Sequence, residues 1–225
     1  MIEFEKRVVA REALKLIGDA KLVGLGSGST VAIFVEELAK SDRANKISVI
    51  PSSKQIEEVA RDLGLKVIYP DDERPEITVD GADEIDSDLN LLKGGGGALL
   101  REKVLAYNSS TYIIIADHTK LVEKLCSNRA LPVEVLPYGV SWTLDNLRKR
   151  LNCDAGIRMR ELAPFVTDNG NLIVDVSCPP IEDPASMERE IKEVPGVVEV
   201  GIFIGLADLV LIARGSEVKV LRQGF

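Results

Sequence analysis

Lys21-Leu22-Val23-Gly24-Leu25-Gly26-Ser27-Gly28-Ser29-Thr30-Val31-Ala32-Ile33-Phe34-Val35-Glu36-Glu37-Leu38 runs from a short apolar segment through a glycine-rich loop into an amphipathic stretch. Val31, Phe34, Val35 and Leu38 recur at helical spacing, so the order is strand, loop, helix, the opening unit of an α/β fold. On the N-terminal side, Phe4 to Ile17 reads as another helix. On the C-terminal side, strands are predicted at Ile47 to Ile50, Lys66 to Tyr69, Ile77 to Val79 and Tyr112 to Ala116, the last apolar enough for a central parallel position. After Ser53, the spacing of Ile56, Val59, Ala60 and Leu63 predicts a helix that lays its apolar stripe on the sheet.

From Leu131 the order changes. Strand (Val133 to Leu136), helix (Ser141 to Leu151), two strands (Ile157 to Glu161 and Leu172 to Val176), helix (Ala185 to Val194) and a strand from Val197 make βαββαβ, the split unit of ferredoxin-like domains. Turn signals at Asp168-Asn169-Gly170, Cys178-Pro179-Pro180 and Pro195-Gly196 separate these pieces. Leu209 to Ala213 and Val218 to Leu221 read as strands that return to the first sheet. The expected class is therefore α/β: a Rossmann-like parallel-sheet domain over residues 1–127 and 201–225, with an inserted α+β ferredoxin-like domain over residues 128–200.

The 28 basic and 36 acidic residues give a net charge of −8, which opposes general attraction to nucleic acid or to an anionic membrane. An anionic ligand must then meet local positive groups. Cys126, Cys153 and Cys178 are odd in number and widely spaced, a pattern that argues against a disulfide framework or a zinc cluster and suits a reducing cytoplasm. Glu3 and Glu5 stand where a signal peptide would carry basic residues, and Glu199 and Asp208 interrupt the most apolar stretch, Gly196 to Ala213. Neither export nor a membrane span is expected.

Three loops have the composition of a site. Gly24 to Thr30 offers backbone N–H groups, hydroxyls and the positive end of a helix, which together suit a phosphate; a tight turn with a capping hydroxyl is the plain alternative. It lacks the Gly-Lys-Ser/Thr ending of a Walker loop and the third glycine of the dinucleotide fingerprint, and Pro51-Ser52-Ser53 stand where a ribose-binding acid would follow. Asp80-Gly81-Ala82-Asp83-Glu84-Ile85-Asp86 follows a strand directly, where α/β sheets form their ligand crevice. Read as a calcium loop from Asp86 it fails, because Leu91 and Gly97 replace the required glycine and glutamate; a solvated acidic turn stays open.

The third loop is Lys93-Gly94-Gly95-Gly96-Gly97, followed by Ala98-Leu99-Leu100-Arg101-Glu102-Lys103. Consecutive glycines fit where backbone must approach something closely, and their N–H groups can stabilise an oxyanion. In the helix that follows, Leu100, Val104 and Tyr107 are the expected buried stripe, which puts Glu102 on another face, towards the glycine loop. A surface glutamate is the alternative. Lys120 follows the strongest strand and can meet a phosphate, or be a plain surface lysine. His118 is the only histidine, so no multi-histidine metal site can form.

These motifs in succession, with Ala116-Asp117-His118-Thr119-Lys120, Leu131-Pro132-Val133-Glu134-Val135 and Val166-Thr167-Asp168-Asn169-Gly170-Asn171, resemble the type A ribose-5-phosphate isomerases over nearly the whole chain. Ser27 where threonine is frequent and Gly97 where alanine is common are the small departures. The resemblance implies interconversion of ribose 5-phosphate and ribulose 5-phosphate through an enediol in the non-oxidative pentose phosphate pathway, with no metal and no organic cofactor. By motif match, Glu102 is the base, Asp80 and Asp83 hold the sugar hydroxyls and assist ring opening, and Lys93 with the loop of Gly94, Gly95 and Gly96 stabilises the enediolate. Ser27, Gly28, Ser29, Thr30, Lys120 and Lys6 are implied for the phosphate, and Gly81 and Ala82 complete the substrate-binding set.

The chemistry of the residues agrees, since removing a proton beside a carbonyl needs a base on one side and preorganised positive charge at the oxygen. The partner is then a small sugar phosphate rather than nucleic acid or membrane, and a homodimer or homotetramer is expected. Two other classes remain: a sugar-phosphate sensor, although no basic recognition helix is evident, and a coenzyme A transferase, whose glutamate would act as nucleophile.

Overall fold

The computed structural model describes residues 1–71 and 73–222. The elements begin α1 (Ile2–Leu16), β1 (Leu22–Leu25), α2 (Ser29–Ala39), β2 (Ser48–Pro51), α3 (Lys54–Asp62), β3 (Lys66–Val67) and β4 (Ile77–Asp80). They continue with β5 (Glu84–Ile85), β6 (Leu91–Leu92), α4 (Leu99–Asn108), β7 (Thr111–Asp117), a 3-10 turn (His118–Lys120), β8 (Leu131–Val135) and α5 (Val140–Leu151). The chain ends with β9 (Asp154–Ile157), β10 (Met159–Arg160), β11 (Ala163–Pro164), β12 (Leu172–Ser177), α6 (Pro184–Lys192), β13 (Val197–Val200), β14 (Ile202–Phe203), β15 (Leu209–Arg214) and β16 (Glu217–Leu221).

Contacts divide the chain into two compact units. The first holds Met1–Ala82, Arg101–Lys120 and the chain from Gly205 onward. Among its described residues, strands in the order β16-β15-β7-β4-β1-β2-β3 form one sheet, parallel except for β16. Strand order reverses between β1 and β4, and the carboxyl ends of strands at such a switch point are the usual ligand position in these sheets. The core fills with Val9, Ala13, Val23, Phe34, Leu38, Val79, Ile113 and Leu211, all but removed from solvent. The apolar spacing of α1 and α2 supplies that burial, and the helix-helix and helix-sheet contacts follow from it.

The second unit holds Asp83–Leu100 and Leu121–Ile204. Its larger sheet has the order β13-β8-β12-β9, all antiparallel, with α5 and α6 in the intervening connections: the βαββαβ arrangement. These bounds depart from the expected 128–200 for a physical reason. β6 pairs with β14 on one side and β5 on the other, and Leu92, Leu125 and Cys126 pack into the same core as Val133, Val174 and Ile191. Two-residue strands such as β5 and β6 carry too little alternation to be read from sequence.

The cysteines correct a second expectation. Cys153 and Cys178 form a disulfide with Cα atoms 5.3 Å apart. Asp154 pairs with Ser177 across β9 and β12, so these cysteines are the next opposed pair outward on that ladder, although 25 positions separate them in sequence. Cys126 is a buried free thiol whose pKa is pushed up to about 12 by burial. Among the described residues no helix is long and apolar enough to cross a membrane, and no group of three or more His, Cys, Asp or Glu side chains could hold a metal ion.

Candidate active site

In the first unit, the loop after β1 and the end of β4 are joined by backbone: the Gly26 N–H donates to Val79 O at 2.9 Å. This brings Asp80, fully buried, against the loop. Its Oδ1 accepts from the Ser27 N–H at 3.2 Å and the Gly81 N–H at 2.7 Å, and its Oδ2 accepts from the Tyr112 hydroxyl at 2.7 Å. Gly26 permits the approach, since a Cβ there would lie 1.8 Å from Asp80 Oδ1.

Glu102 reaches the same loop. The Ser27 hydroxyl donates to Glu102 Oε1, so one serine holds Asp80 through its backbone and Glu102 through its side chain. Glu102 is 3% exposed, which disposes of the surface-glutamate alternative. The face of α4 that carries it is, however, the opposite of the expected one. Leu99, Leu105 and Ala106 are buried with Glu102, whereas Val104 is 48% and Tyr107 80% exposed. The helix therefore buries its carboxylate with its core face instead of presenting it from a polar one.

Sequence reasoning misses Tyr112, whose only signal is a hydroxyl-bearing aromatic at the start of an otherwise aliphatic strand. Burial, followed by the negative charges of Asp80 and Glu102, holds its hydroxyl well above the ordinary phenol pKa, so it remains a donor.

Around the loop, Gly28 caps α2 at a φ of 90° and the helix begins at Ser29 and Thr30, its positive end beside them. Lys6 of α1 donates to Ser29 Oγ at 2.8 Å, a lysine and a hydroxyl meeting at a helix N-terminus, which suits an anion. Lys120 closes the 3-10 turn beyond the carboxyl end of β7, half-buried, on the sheet edge that also carries Asp80. His118 is bound to Glu5, with Nδ1 at 2.7 Å from Oε2.

In the second unit, Asp83 anchors its backbone by donating to Leu92 O at 2.8 Å, and its Oδ2 accepts from the Gly95 N–H at 2.8 Å. A Cβ at Gly95 would lie 2.8 Å from Asp83 Oδ1, so the contact needs glycine there. Lys93 is 3% exposed, its N–H donates to Gly201 O at 2.8 Å, and its ammonium lies 5.5 Å from the centre of the Phe203 ring, a cation–π contact. Gly94 and Gly96 complete the turn with Gly97, whose φ is 80°. Of the remaining acids, Asp86 accepts from the Asp88 and Asn90 N–H groups, and Glu84 from the Asn128 N–H at 2.6 Å, so both serve local structure. Ala82, half-buried, ends the first segment of the first unit.

Comparison with known proteins matches residues 48–217 to the family described as ribose 5-phosphate isomerase A (phosphoriboisomerase A). The ribose-5-phosphate isomerase A of Korarchaeum cryptofilum is 87% identical over 225 residues, covering 100% of both chains. A solved D-ribose-5-phosphate isomerase in complex with phospho-erythronic acid is 38% identical, with a TM-score of 0.93 and 99% of each chain covered. The ribose 5-phosphate isomerase from Plasmodium falciparum is 37% identical, with a TM-score of 0.94 over 100% of both chains.

Proposed function

The chain belongs to the ribose 5-phosphate isomerase A family, an aldose-ketose isomerase family, and from that membership we propose a residue-by-residue course for its reaction. The substrate is D-ribose 5-phosphate, bound with its phosphate against Ser27, Gly28, Ser29, Thr30, Lys6 and Lys120. Asp80, Gly81, Ala82 and Asp83 hold the sugar hydroxyls, and the two carboxylates assist ring opening. Glu102 then removes the proton from C2 of the open-chain aldose, and the electrons of that bond move to the C1 carbonyl oxygen as the enediolate forms. Lys93 with the N–H groups of Gly94, Gly95 and Gly96 stabilises that oxygen. Return of the proton from Glu102 to C1, with transfer of the hydroxyl proton from O2 to O1, yields D-ribulose 5-phosphate. No cofactor or metal takes part in this course.

The observation that carries this reading is the pair of buried carboxylates, Asp80 and Glu102, held on Ser27 at the carboxyl edge of the parallel sheet beside a lysine-bearing helix N-terminus. The phosphate lies remote from the reacting carbons, so its binding energy can hold the open chain in register without touching the chemistry. The phospho-erythronic acid bound by a relative is a phosphorylated sugar acid, in keeping with such a division.

Conversion of ribose 5-phosphate in deuterium oxide with EDTA present tests the course, with product examined after partial reversal so that internal return of the proton does not hide exchange. Glu102→Gln should lower kcat by roughly 10²-fold or more while KM stays within about threefold. Near-normal turnover by that variant would remove Glu102 as the base, and acyl-CoA transfer with an adduct on Glu102 would favour the transferase class instead. The cytoplasm is the proposed compartment, because the charged substrate does not cross a membrane unaided. Exposed Tyr138, Trp142 and Leu162 support a homodimer or homotetramer, which light scattering would read as a multiple of 24.5 kDa.

A further inference from the structure

Arg158 lies between β9 and β10, and its backbone is pinned on both sides: its N–H donates to Ile173 O at 2.8 Å and its carbonyl accepts from the Phe165 N–H at 2.8 Å. Its guanidinium is engaged on two edges. Nε and Nη2 donate to the two oxygens of Asp175 at 2.8 and 2.5 Å, and Nη1 donates to the carbonyls of Gly94 at 2.8 Å and Gly95 at 3.0 Å. Asp175 sits on β12, which pairs with β8 and β9, so the fork that grips the glycine turn is fixed to a sheet. The ring of Phe165 lies 5.9 Å from the guanidinium carbon.

This grip decides where the glycine N–H groups point. A trans peptide is planar with its C=O and N–H on opposite edges. Turning the Gly94 carbonyl to Arg158 turns the Gly95 N–H away from it, and that N–H is found on Asp83 Oδ2 at 2.8 Å. Turning the Gly95 carbonyl to Arg158 sends the Gly96 N–H in the same manner away from the guanidinium. Consecutive glycines have no side chains to fix their peptide planes. Within the turn the Gly97 N–H holds the Gly94 carbonyl at 3.0 Å, and Arg158 adds a second donor to that carbonyl and its own donor to the Gly95 carbonyl.

We propose that Arg158, held by Asp175, is a positioning residue for the isomerisation: it fixes the Gly94 and Gly95 peptides so that the Gly95 N–H holds Asp83 in place and the Gly96 N–H is preorganised for the substrate side of the loop. The inference rests on the functional reading above, since it assigns a purpose to that N–H face. Arginine suits the task because one planar fork satisfies a carboxylate and two carbonyls at once, whereas the ammonium of lysine is a point charge without that geometry. A cavity of about 290 Å³, lined by Asp83, Gly95, Arg129, Pro132 and Asp175 among others, opens against the guanidinium and can admit a free guanidinium ion once the side chain is cut back.

Steady-state isomerisation of ribose 5-phosphate by the wild type, Arg158→Ala, Arg158→Lys and Asp175→Asn tests this, with melting temperature measured alongside. Arg158→Ala should lose about tenfold or more in kcat, with KM within about threefold. Added guanidinium should recover a several-fold part of that loss in Arg158→Ala, and none in Glu102→Gln. Arg158→Lys should be folded yet remain several-fold below wild type in kcat, and Asp175→Asn should fall in the same direction. If Arg158→Ala does not fold, the lysine and Asp175→Asn variants decide: kcat within twofold of wild type in both would overturn the proposal. So would an alanine variant that folds with unchanged kcat, or one whose loss guanidinium does not relieve. An inactive wild type would overturn the functional reading and this inference with it, while an active wild type with unaffected variants would overturn the inference alone.

Discussion

Gly26 and Asp80 show how little freedom the first cluster has. Asp80 is fully buried and takes donors from Ser27, Gly81 and Tyr112, and the space for its Oδ1 exists only because residue 26 has no side chain. Gly26→Ala should therefore displace the carboxylate, lower kcat by about tenfold or more and cost about 1–3 kcal/mol of stability from overpacking. Gly156→Ala is the control, because an added Cβ there meets nothing within 4 Å. Equal behaviour of the two variants in kcat and melting temperature would show that the close approach at Gly26 is not what places Asp80. Within the acidic loop the labour is divided in the same local way. Asp80 and Asp83 face glycine-bearing turns, whereas Glu84 and Asp86 are consumed by backbone N–H groups of their own unit. Composition and spacing place all four acids in one run without dividing them, since that depends on which N–H groups the fold brings up; only the family motif singles out Asp80 and Asp83.

At the scale of elements, long periodic segments are legible. α1, α2, α3, α5, α6, β1, β4, β7 and the βαββαβ order are each foreshadowed by apolar spacing and turn residues. For α4 the spacing gives the right place and the wrong face. Leu100, Val104 and Tyr107 form an apolar stripe as plausible as the true one, and the true one contains a carboxylate, which periodicity scores as polar. What settles the face is packing: Leu105 clusters with Leu22 and Ile50, with Ile68 against them. Leu105→Ala should then cost about 2–4 kcal/mol, whereas Val104→Ser should stay within about 0.5 kcal/mol. Denaturant midpoints at constant slope would read both, and a larger loss at Val104 than at Leu105 would restore the face first expected. The disulfide is hidden for a related reason: only the β9–β12 register makes Cys153 and Cys178 neighbours.

For the whole molecule, a net charge of −8 says that acids are abundant and nothing about which of them hold the chain together. One does so across its full length. Glu5 of α1 is fully buried, accepts from the Gly215 N–H at 2.9 Å at the turn between β15 and β16, and meets His118 Nδ1 at 2.7 Å beyond β7. Those hydrogen bonds, the Gly215 N–H first and His118 next, outweigh burial and hold the Glu5 carboxyl below its ordinary value of 4.5. The unfolded chain then binds this proton at a pH where the folded chain does not. The stabilisation is accordingly complete above the unfolded pKa and is lost as pH falls through the folded one. Glu5→Gln should melt below wild type at pH 7, and the gap should narrow as the pH is taken below about 4.5, because a protonated carboxyl and the amide that replaces it would then be equally uncharged. All other carboxylates are common to both proteins and cancel in the difference. A gap of equal size at about pH 7 and about pH 3.5 would mean that the charge on Glu5 contributes nothing to joining the N-terminal helix, the turn after β7 and the C-terminal hairpin.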